Sequence, residues 1–253
     1  MSIRGLALYA QRAGKVFAHP GTWGKLIRER GWGRPRLRLY PAKPKVGLRT
    51  TAPNEAWHID VTIIKLLDGT RAYVHAVIDN FSRRILAWTV AGHLDPMNTH
   101  DVLTRAAGPL VASTNVFMDS GVENLNGDVD PLFDGGGLQR VIAQIDVSFS
   151  NALIEAWWRS LKHRWLFLHV LDNLATVKRL VAFYATEHNE RIPHGAFEGQ
   201  TPDEMYFGRG AQVPADLAVR RRQARRLRLE QNQAAACAAC PRAAPAPSDH
   251  IAA

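Results

Sequence analysis

The sequence predicts an α/β fold with a mixed five-stranded sheet flanked by helices. Three runs rich in β-branched and aromatic residues, at 56–67, 71–79 and 83–92, are joined by turn signals at Asp68-Gly69 and Asn80–Ser82. A helical pattern, two further apolar runs and two more helical patterns follow. This order is typical of one mixed sheet that carries helices on its faces.

Before the sheet, residues 1–50 predict a small helical piece followed by an extended basic arm. A helix is expected from about Gly21 to Arg30, where Gly31 ends it. The stretch "GRPRLRLYPAKPKVGLR" is rich in Pro, Lys and Arg, which favours a linker or an arm that follows a nucleic-acid backbone.

After the three-strand meander, a helix is expected from about Asn98 to Val111. The run "TNVFMD" then predicts a short buried strand that ends in Asp119, and "LQRVIAQIDVSF" predicts the fifth strand. Between these two strands, residues 120–137 are rich in turn formers.

The second half of the chain is predicted to be helical. Ser150 is expected to cap the helix in "SNALIEAWWRSLKHRWLF", and a further helix is expected over about Asn173–Asn189 before Pro193 ends the region. The segment "LAVRRRQARRLRLEQNQAAA" predicts an Arg-rich helix, and the last residues, "CPRAAPAPSDHIAA", have the composition of a disordered tail.

Charge divides the chain into three parts. The total of +9 comes from +11 over residues 1–50, −7 over 51–208 and +5 over 209–253. Basic arms on both sides of an acidic centre indicate a polyanionic partner, most simply nucleic acid, although general solubility is the alternative. Clustered carboxylates in the centre of such a protein suggest a bound cation.

Composition excludes several other classes. No stretch approaches the roughly 20 apolar residues of a membrane span, and the N-terminus has no clear secretory cleavage site. The two cysteines, Cys237 and Cys240, exclude a disulfide framework and lack the further ligands of a complete zinc site. A cytoplasmic location is therefore expected.

Three carboxylates are candidate ligands of a divalent cation. Asp60 lies inside an apolar strand, Asp119 ends a buried strand and Glu155 lies near the start of a helix. Each has a plainer alternative, namely a Lys65 ion pair or a turn for Asp60, an Asx turn for Asp119 and an Arg159 ion pair for Glu155. Hard cations such as Mg²⁺ prefer oxygen ligands of this kind.

Several motifs resemble a known family. The segments "WHIDVT", "AVIDNFSRRILAW", "FMDSGVEN", "SNALIEAWWRSLK" and "YATEHNERIPHGAFEGQTPDEMYFG" are similar to the core of retroviral-integrase-like insertion-sequence transposases. Asp119 and Glu155 are separated by 35 residues, which matches the D, D, 35, E spacing of that family. The resemblance covers about residues 52–208 and implies an RNase H-like fold.

The resemblance implies an enzyme and a mechanism. Asp60, Asp119 and Glu155 would be the catalytic triad and would hold two Mg²⁺ (or Mn²⁺) ions, which support cleavage of transposon-end DNA and strand transfer into target DNA. A homodimer or higher oligomer acting on DNA in the cytoplasm, associated with the nucleoid when bound, is expected, with no membrane or small-molecule partner. The alternatives are an inactive remnant that only binds DNA and an RNase H-like nuclease that cuts without joining.

DNA contacts are expected outside the triad as well. Arg159 and Lys162 share a helix stripe with Glu155, and a solvated face is their alternative. Residues 1–50 resemble a truncated helix-turn-helix segment with a basic linker, residues 52–208 the catalytic core and residues 209–253 a basic helix with its tail. The basic residues expected to contact DNA in the first segment are Lys25, Arg28, Arg34, Arg36 and Arg38.

Other acids near the triad are given different roles. Asp79 is expected to order the turn before Arg83, and Glu123 and Asn124 are candidates for supporting Asp119. Three acids of the turn-rich segment are expected to be solvated, namely Asp128, Asp130 and Asp134. Any of them would be an alternative to Asp119 if the alignment with the family were shifted.

Overall fold

A computed structural model describes residues 2–33, 48–108, 113–121, 124–142 and 151–239 of the chain. Five strands form a single sheet in the order β3-β2-β1-β4-β5. The strands are β1 Ala56–Lys65, β2 Arg71–Asp79, β3 Ile85–Ala91, β4 Thr114–Met118 and β5 Leu138–Ile142. The helices are α1 Ile3–Arg12, α2 Pro20–Glu29, α3 Pro96–Ala107, α4 Pro131–Asp134, α5 Ala152–Arg164, α6 Leu174–Glu190, α7 Pro202–Tyr206 and α8 Val213–Ala239.

The sheet is mixed, as the sequence predicts. β1, β2 and β3 form an antiparallel meander, whereas β4 pairs with β1 and β5 pairs with β4 in parallel. The short turn at Asp68-Gly69 permits the antiparallel hairpin, with Gly69 at a φ of 85°. The parallel pairing of β4 requires a crossover, which α3 provides.

Each face of the sheet carries its own hydrophobic core. On one face, residues of β1 and β2 such as Ile64 and Val74 pack with Ile154 and Leu161 of α5 and with α6. On the other face, Trp57 and other residues of β1, β2 and β4 pack with α3. The strand period of two residues explains this division, since neighbouring positions on a strand point to opposite faces.

Several element boundaries differ from the predicted ones. α3 begins at Pro96, two residues earlier than expected, because Asp95 caps it by accepting a hydrogen bond from the backbone N–H of Met97 at 2.9 Å. β4 ends at Met118, so Asp119 follows the strand. α5 begins at Ala152 with Asn151 in the N-cap position, and the predicted cap Ser150 lies outside the described residues.

The N-terminal segment contains one helix more than the sequence predicts. α1 precedes α2 and is capped by Ser2, whose side chain accepts a hydrogen bond from the N–H of Gly5. Arg12 at the end of α1 makes a bidentate ion pair with Glu204 of α7, with both N–O distances at 2.6 Å. This ion pair ties the N-terminal helices to the far end of the core.

The predicted Arg-rich helix is present as α8. The final residues, expected to be disordered, lie outside the described part of the chain, as does the end of the predicted fifth strand beyond Ile142. None of the helices among the described residues is both long and apolar enough to cross a bilayer.

Candidate active site

Strand β1 directs Asp60 toward α5. Asp60 pairs in register with Ala76 of β2, and Ala76 belongs to the core that α5 covers. The indole N–H of Trp158 on α5 donates a hydrogen bond of 2.9 Å to Asp60 Oδ2, and the backbone N–H of Val61 donates one of 2.9 Å to Oδ1. Asp60 therefore lies at the junction of the sheet and α5. The alternative role for Asp60, an ion pair with Lys65, is not observed, although both side chains are described.

Asp119 follows β4 at the same edge of the sheet. His58 of β1 pairs with Phe117 of β4, and the same parallel register continued by two residues brings Asp60 opposite Asp119. Met118 belongs to the core under α3, so the next side chain points to the α5 face. Parallel strands lie about 4.8 Å apart, so this register places Asp119 near Asp60, in agreement with the effect of its charge on Asp60.

The Asp119 carboxylate is held by its own loop. Its Oδ1 accepts a hydrogen bond of 2.6 Å from the Asn124 amide and one of 3.1 Å from the N–H of Gly121. The second bond is the Asx turn that the sequence offered as an alternative, and the first is the support expected of Asn124. Glu123 lies outside the described residues.

Glu155 occupies the first turn of α5 and is exposed. Trp158 lies three residues further along, so Glu155 and the indole that contacts Asp60 share one side of the helix. The structure contains no ion pair between Glu155 and Arg159, both of which are described. The plainest alternative for Glu155 is thus absent.

The pKa of Asp60 reflects the charges of the other two acids. Burial is the main reason that the pKa of Asp60 is raised to about 6, against the lowering effect of the hydrogen bonds from Trp158 and Val61. The charges of Asp119 and Glu155 raise it further. Asp60 is half-buried, whereas Asp119 and Glu155 are exposed. A half-buried carboxylate beside two further negative charges is costly unless a cation offsets the charge.

The half-buried Lys162 supplies one positive charge at this place. Burial lowers the pKa of Lys162, and the charge of Asp60 acts in the opposite direction, which puts the ammonium near that carboxylate. Arg159 is exposed one helical turn from Glu155. The basic stripe predicted beside Glu155 is therefore accessible at Arg159 and partly engaged with the acidic cluster at Lys162.

The described residues contain no group of three or more His, Cys, Asp or Glu side chains that is already arranged to hold a metal ion. The chemistry of Asp60, Asp119 and Glu155 nevertheless fits a hard divalent cation, since all three are carboxylates and the charges of two of them act on the third. The donor set thus suits Mg²⁺.

The remaining predicted site residues lie elsewhere. Lys25 and Arg28 are exposed on α2, where Lys25 lies 3.7 Å from Glu29. Cys237 belongs to α8. Outside the described residues lie Arg34, Arg36, Arg38 and Cys240.

The other central acids occupy separate positions. Asp79 is fully buried and accepts hydrogen bonds from Asn54 and Ser82, which orders the turn before Arg83 as expected. Asp130 makes an ion pair of 2.7 Å with Arg140, while Asp128 and Asp134 are exposed.

Sequence reasoning missed the polar role of Trp158. Its position in the apolar repeat of α5 predicts packing on the sheet, and its side chain is indeed buried, but its indole N–H also holds Asp60. A tryptophan three residues after a candidate ligand is the available signal, because i and i+3 share a helix side.

The sheet order, the two covered faces and the acids at the end of β4 define an RNase H-like α/β core. Two sequence models of the integrase core domain match residues 50–150 and 141–202. Together they span more than half of the chain, which belongs to the integrase-core family.

Curated relatives agree with this assignment. The chain is 27% identical over 167 residues to an uncharacterized 31.7 kDa protein of insertion element IS407 from Burkholderia multivorans, covering 66% of this chain and 60% of that protein. It is 21% identical over 207 residues to the transposase for insertion sequence element IS904 from Lactococcus lactis, covering 79% and 81% respectively. The chain thus spans less than two thirds of the IS407 protein.

Solved structures share the fold. The HTLV-2 integrase catalytic core domain in complex with magnesium superimposes with a TM-score of 0.50 at 17% identity, covering 62% of this chain and 99% of that one. A simian T-cell lymphotropic virus intasome chain, solved in complex with PP2A regulatory subunit B56 gamma, gives a TM-score of 0.55 at 14% identity, covering 81% and 74%.

Proposed function

We propose that the protein is a DNA transposase, a polynucleotidyl transferase that cuts and joins DNA strands with the help of divalent cations. The observation that supports this proposal is that the charges of Asp119 and Glu155, which come from two other elements, both act on Asp60 of β1 and raise its pKa. Family membership and the integrase-like fold support the same class of reaction.

Each member of the triad has a distinct structural task in this proposal. Asp60 is the fixed ligand, because Trp158 and Val61 hold both of its oxygens. Asp119 is oriented by Asn124, which leaves its Oδ2 free of hydrogen bonds to the described residues. Glu155, exposed on α5, would complete the site from the solvent side.

Two Mg²⁺ or Mn²⁺ ions bound by this triad would supply an activated nucleophile and stabilise the leaving oxygen of an in-line displacement. The protein contributes the three carboxylates, their orientation by Trp158 and Asn124, and the ammonium of Lys162 beside them. The HTLV-2 integrase core was solved with magnesium, which supports the choice of ion.

DNA is the proposed partner, and three regions would contact it. Arg159 and Lys162 would bind phosphates next to the scissile bond, while Lys25 and Arg28 on α2, together with Arg34, Arg36 and Arg38, would bind DNA further away. The proposed division is residues 1–50 for this DNA-binding segment, 52–208 for the catalytic core and 209–253 for the basic helix and tail. We also propose a homodimer or higher oligomer, because two DNA ends must be brought together, and a cytoplasmic location on the nucleoid.

The test is a strand-transfer assay with labelled transposon-end DNA and Mg²⁺. Joined products are expected from the wild type and should disappear in Asp60→Asn, Asp119→Asn and Glu155→Gln. Asp128→Asn, which removes an exposed acid from the neighbouring loop, is the matched control and should retain joining.

The outcomes separate the proposal from its rivals. Cut but unjoined DNA from the wild type would identify a nuclease, and binding alone would identify an inactive remnant. Full joining activity in any triad variant would remove that residue from the proposed site.

A further inference from the structure

A second polar feature lies on the opposite flank of α5 from Asp60. A groove of about 570 Å³ opens between α5, the C-terminal half of α6, the turn after it and the start of α1. The α5 residues that line it include Ala156, Ser160 and His163, which occupy a different stripe of the helix from Trp158. The groove is therefore separate from the carboxylate cluster.

The groove is cationic and has no acidic side chain in its lining. Three arginines line it, namely Arg83, Arg159 and Arg164, and none of them makes an ion pair within the described residues. The core around them is acidic on balance, with −7 over residues 51–208. Three guanidinium groups without ion pairs, close together in an acidic domain, favour the binding of an anionic ligand.

Arg83 is the least usual of the three. It is half-buried, and its side chain contacts the ring of His194 at 3.4 Å and lies over Phe197. Its neighbour Arg84, by contrast, makes an ion pair of 2.7 Å with Asp203. Burial, with the charge of Arg49, lowers the pKa of Arg83. A guanidinium that is partly removed from water without a counter-ion is costly, and a bound anion would offset that cost.

The histidines around Arg83 do not add charge at neutral pH. Burial lowers the pKa of His188 to about 4 and that of His194 to about 3, with the Arg83 charge acting in the same direction on both. His188 Nε2–H donates to the backbone carbonyl of Arg83 at 2.9 Å, which fixes the turn that carries the arginine. The arginine is thus held in place by neutral groups.

A buried donor without a partner also lines the groove. The side chain of Trp157 is 3% exposed, and its indole Nε1–H has no hydrogen-bond partner among the described residues. An unsatisfied buried N–H costs about 1–3 kcal/mol, so such a group is expected where a ligand supplies the acceptor. Trp157 and the arginines together offer donors only.

Arg159 connects the groove to the active site. It lines the groove and lies four residues after Glu155, which is about 6 Å along the helix axis. A strand whose phosphate is bound near Glu155 can therefore pass over Arg159 and place its next nucleotide in the groove.

We propose that this groove binds a nucleotide phosphate, supplied by the DNA strand that leaves the active site over Arg159. The phosphate contacts Arg83 and Arg159, and the indole N–H of Trp157 donates to an oxygen of the same nucleotide. This inference rests on the proposed transposase function and adds to it a site for an unpaired nucleotide next to the cleaved bond.

The experiment compares two labelled duplexes by fluorescence anisotropy in the presence of Ca²⁺, one blunt and one with a short single-stranded extension at the transposon end. The wild-type chain is expected to bind the extended duplex about tenfold more tightly, since charge-assisted hydrogen bonds each contribute about 1.5–3 kcal/mol and 1.4 kcal/mol corresponds to tenfold. Arg83→Gln should abolish this preference and leave the affinity for blunt DNA unchanged.

Two further variants and one control complete the design. Trp157→Phe keeps an aromatic ring and removes the unsatisfied donor, so it should reduce the preference while circular dichroism shows the variant folded. If Arg83→Gln does not fold, Arg164→Gln removes one positive charge from the same groove at an exposed position and should weaken the preference without abolishing it. Arg179→Gln removes the same charge from an exposed position on α6 outside the groove and should retain the preference.

Free deoxyadenosine monophosphate distinguishes the source of the phosphate. Loss of its binding in Arg83→Gln, with no preference for extended DNA in the wild type, would support the nucleotide-phosphate site but assign it to a free nucleotide. The proposed phosphate site would be overturned if the preference for extended DNA persisted in both Arg83→Gln and Trp157→Phe. It would also be overturned if the wild type showed neither that preference nor nucleotide binding. If the wild type binds blunt duplex but shows neither the preference nor nucleotide binding, only the groove proposal fails and the transposase proposal stands. If the wild type binds no duplex at all, the transposase proposal itself is contradicted.

Discussion

Two aspartates on neighbouring strands, Asp60 of β1 and Asp79 of β2, are both removed from water but are treated differently by the fold. Asp79 is fully buried at the end of β2 and accepts three hydrogen bonds, from the N–H of Asn54 and from the N–H and hydroxyl of Ser82. Asp60 accepts two, and two further carboxylates lie close enough to repel it.

The difference lies in what surrounds each charge. Burial raises the pKa of both groups, but the bonds from Ser82 and Asn54 and the charge of Arg84 oppose it at Asp79. At Asp60 the charges of Asp119 and Glu155 add to burial, and its pKa reaches about 6. The hydrogen bonds of Asp79 stabilise a turn, whereas Asp60 lies in an environment that is unfavourable for its charge. Such an environment is typical of a functional residue.

The largest expected contrast between the two aspartates is in catalysis. Asp60→Asn should reduce strand transfer by at least two orders of magnitude, because a lost cation ligand removes several kcal/mol of charge stabilisation. Asp79→Asn, assayed at a temperature where circular dichroism shows it folded, should retain most of the activity. Equal losses in the two variants would erase the proposed distinction.

Asp79→Ala should lower stability. It would leave the N–H groups of Asn54 and Ser82 and the Ser82 hydroxyl without their acceptor, at a cost of about 1–3 kcal/mol. Urea unfolding at pH 7 measures this cost. A variant as stable as the wild type would show that the Asp79 hydrogen bonds do not order the turn.

Asp60→Asn should instead stabilise the cation-free protein, and the effect should depend on pH. The folded protein binds the proton of Asp60 with a pKa of about 6, above the unfolded value of about 4, so the wild type loses stability as pH rises between these values. Below pH 4 the two proteins should be equally stable. At pH 7 Asp60→Asn should be more stable by about 1–3 kcal/mol in unfolding experiments with EDTA, and a less stable variant would contradict this account of the site.

The smallest predicted effect concerns the residue that orients Asp60. Trp158→Phe removes the indole donor and keeps most of the buried ring, so strand transfer should fall about tenfold, for a lost hydrogen bond to a charged group. The pH at which activity rises should move upward, because that hydrogen bond lowers the pKa of Asp60. Trp165→Phe is the control variant, because the indole of Trp165 donates to the backbone oxygen of Leu180 and not to Asp60. An unchanged pH profile in Trp158→Phe would count against the role of Trp158 in orienting Asp60.

Much of the fold could be predicted from the sequence because its signals are local. The three-strand meander has turn residues between strands, and the helix face of Ile154, Trp158 and Leu161 has the period of a buried stripe. Helix starts were predicted less well where the signal was a cap followed by proline, as at Asp95-Pro96, or a serine at the chain start, as at Ser2.

The site required more than local signals. Sequence spacing predicts which acids belong together, but it is the parallel pairing of β1 with β4 that brings Asp119 toward Asp60. The indole bond from Trp158 to Asp60 and the unpaired arginine at Arg83 depend on side chains far apart in the chain. Long-range polar contacts of this kind leave no periodic pattern.

The most direct test of the account is the binding of Mn²⁺ in solution, followed by the electron paramagnetic resonance signal of the free ion. Wild-type protein and Asp79→Asn should bind Mn²⁺ alike, while Asp60→Asn, Asp119→Asn and Glu155→Gln should each weaken binding by tenfold or more. Mn²⁺ affinity that is unchanged in the three triad variants, or lost equally in Asp79→Asn, would contradict the proposal that these three carboxylates form the cation site.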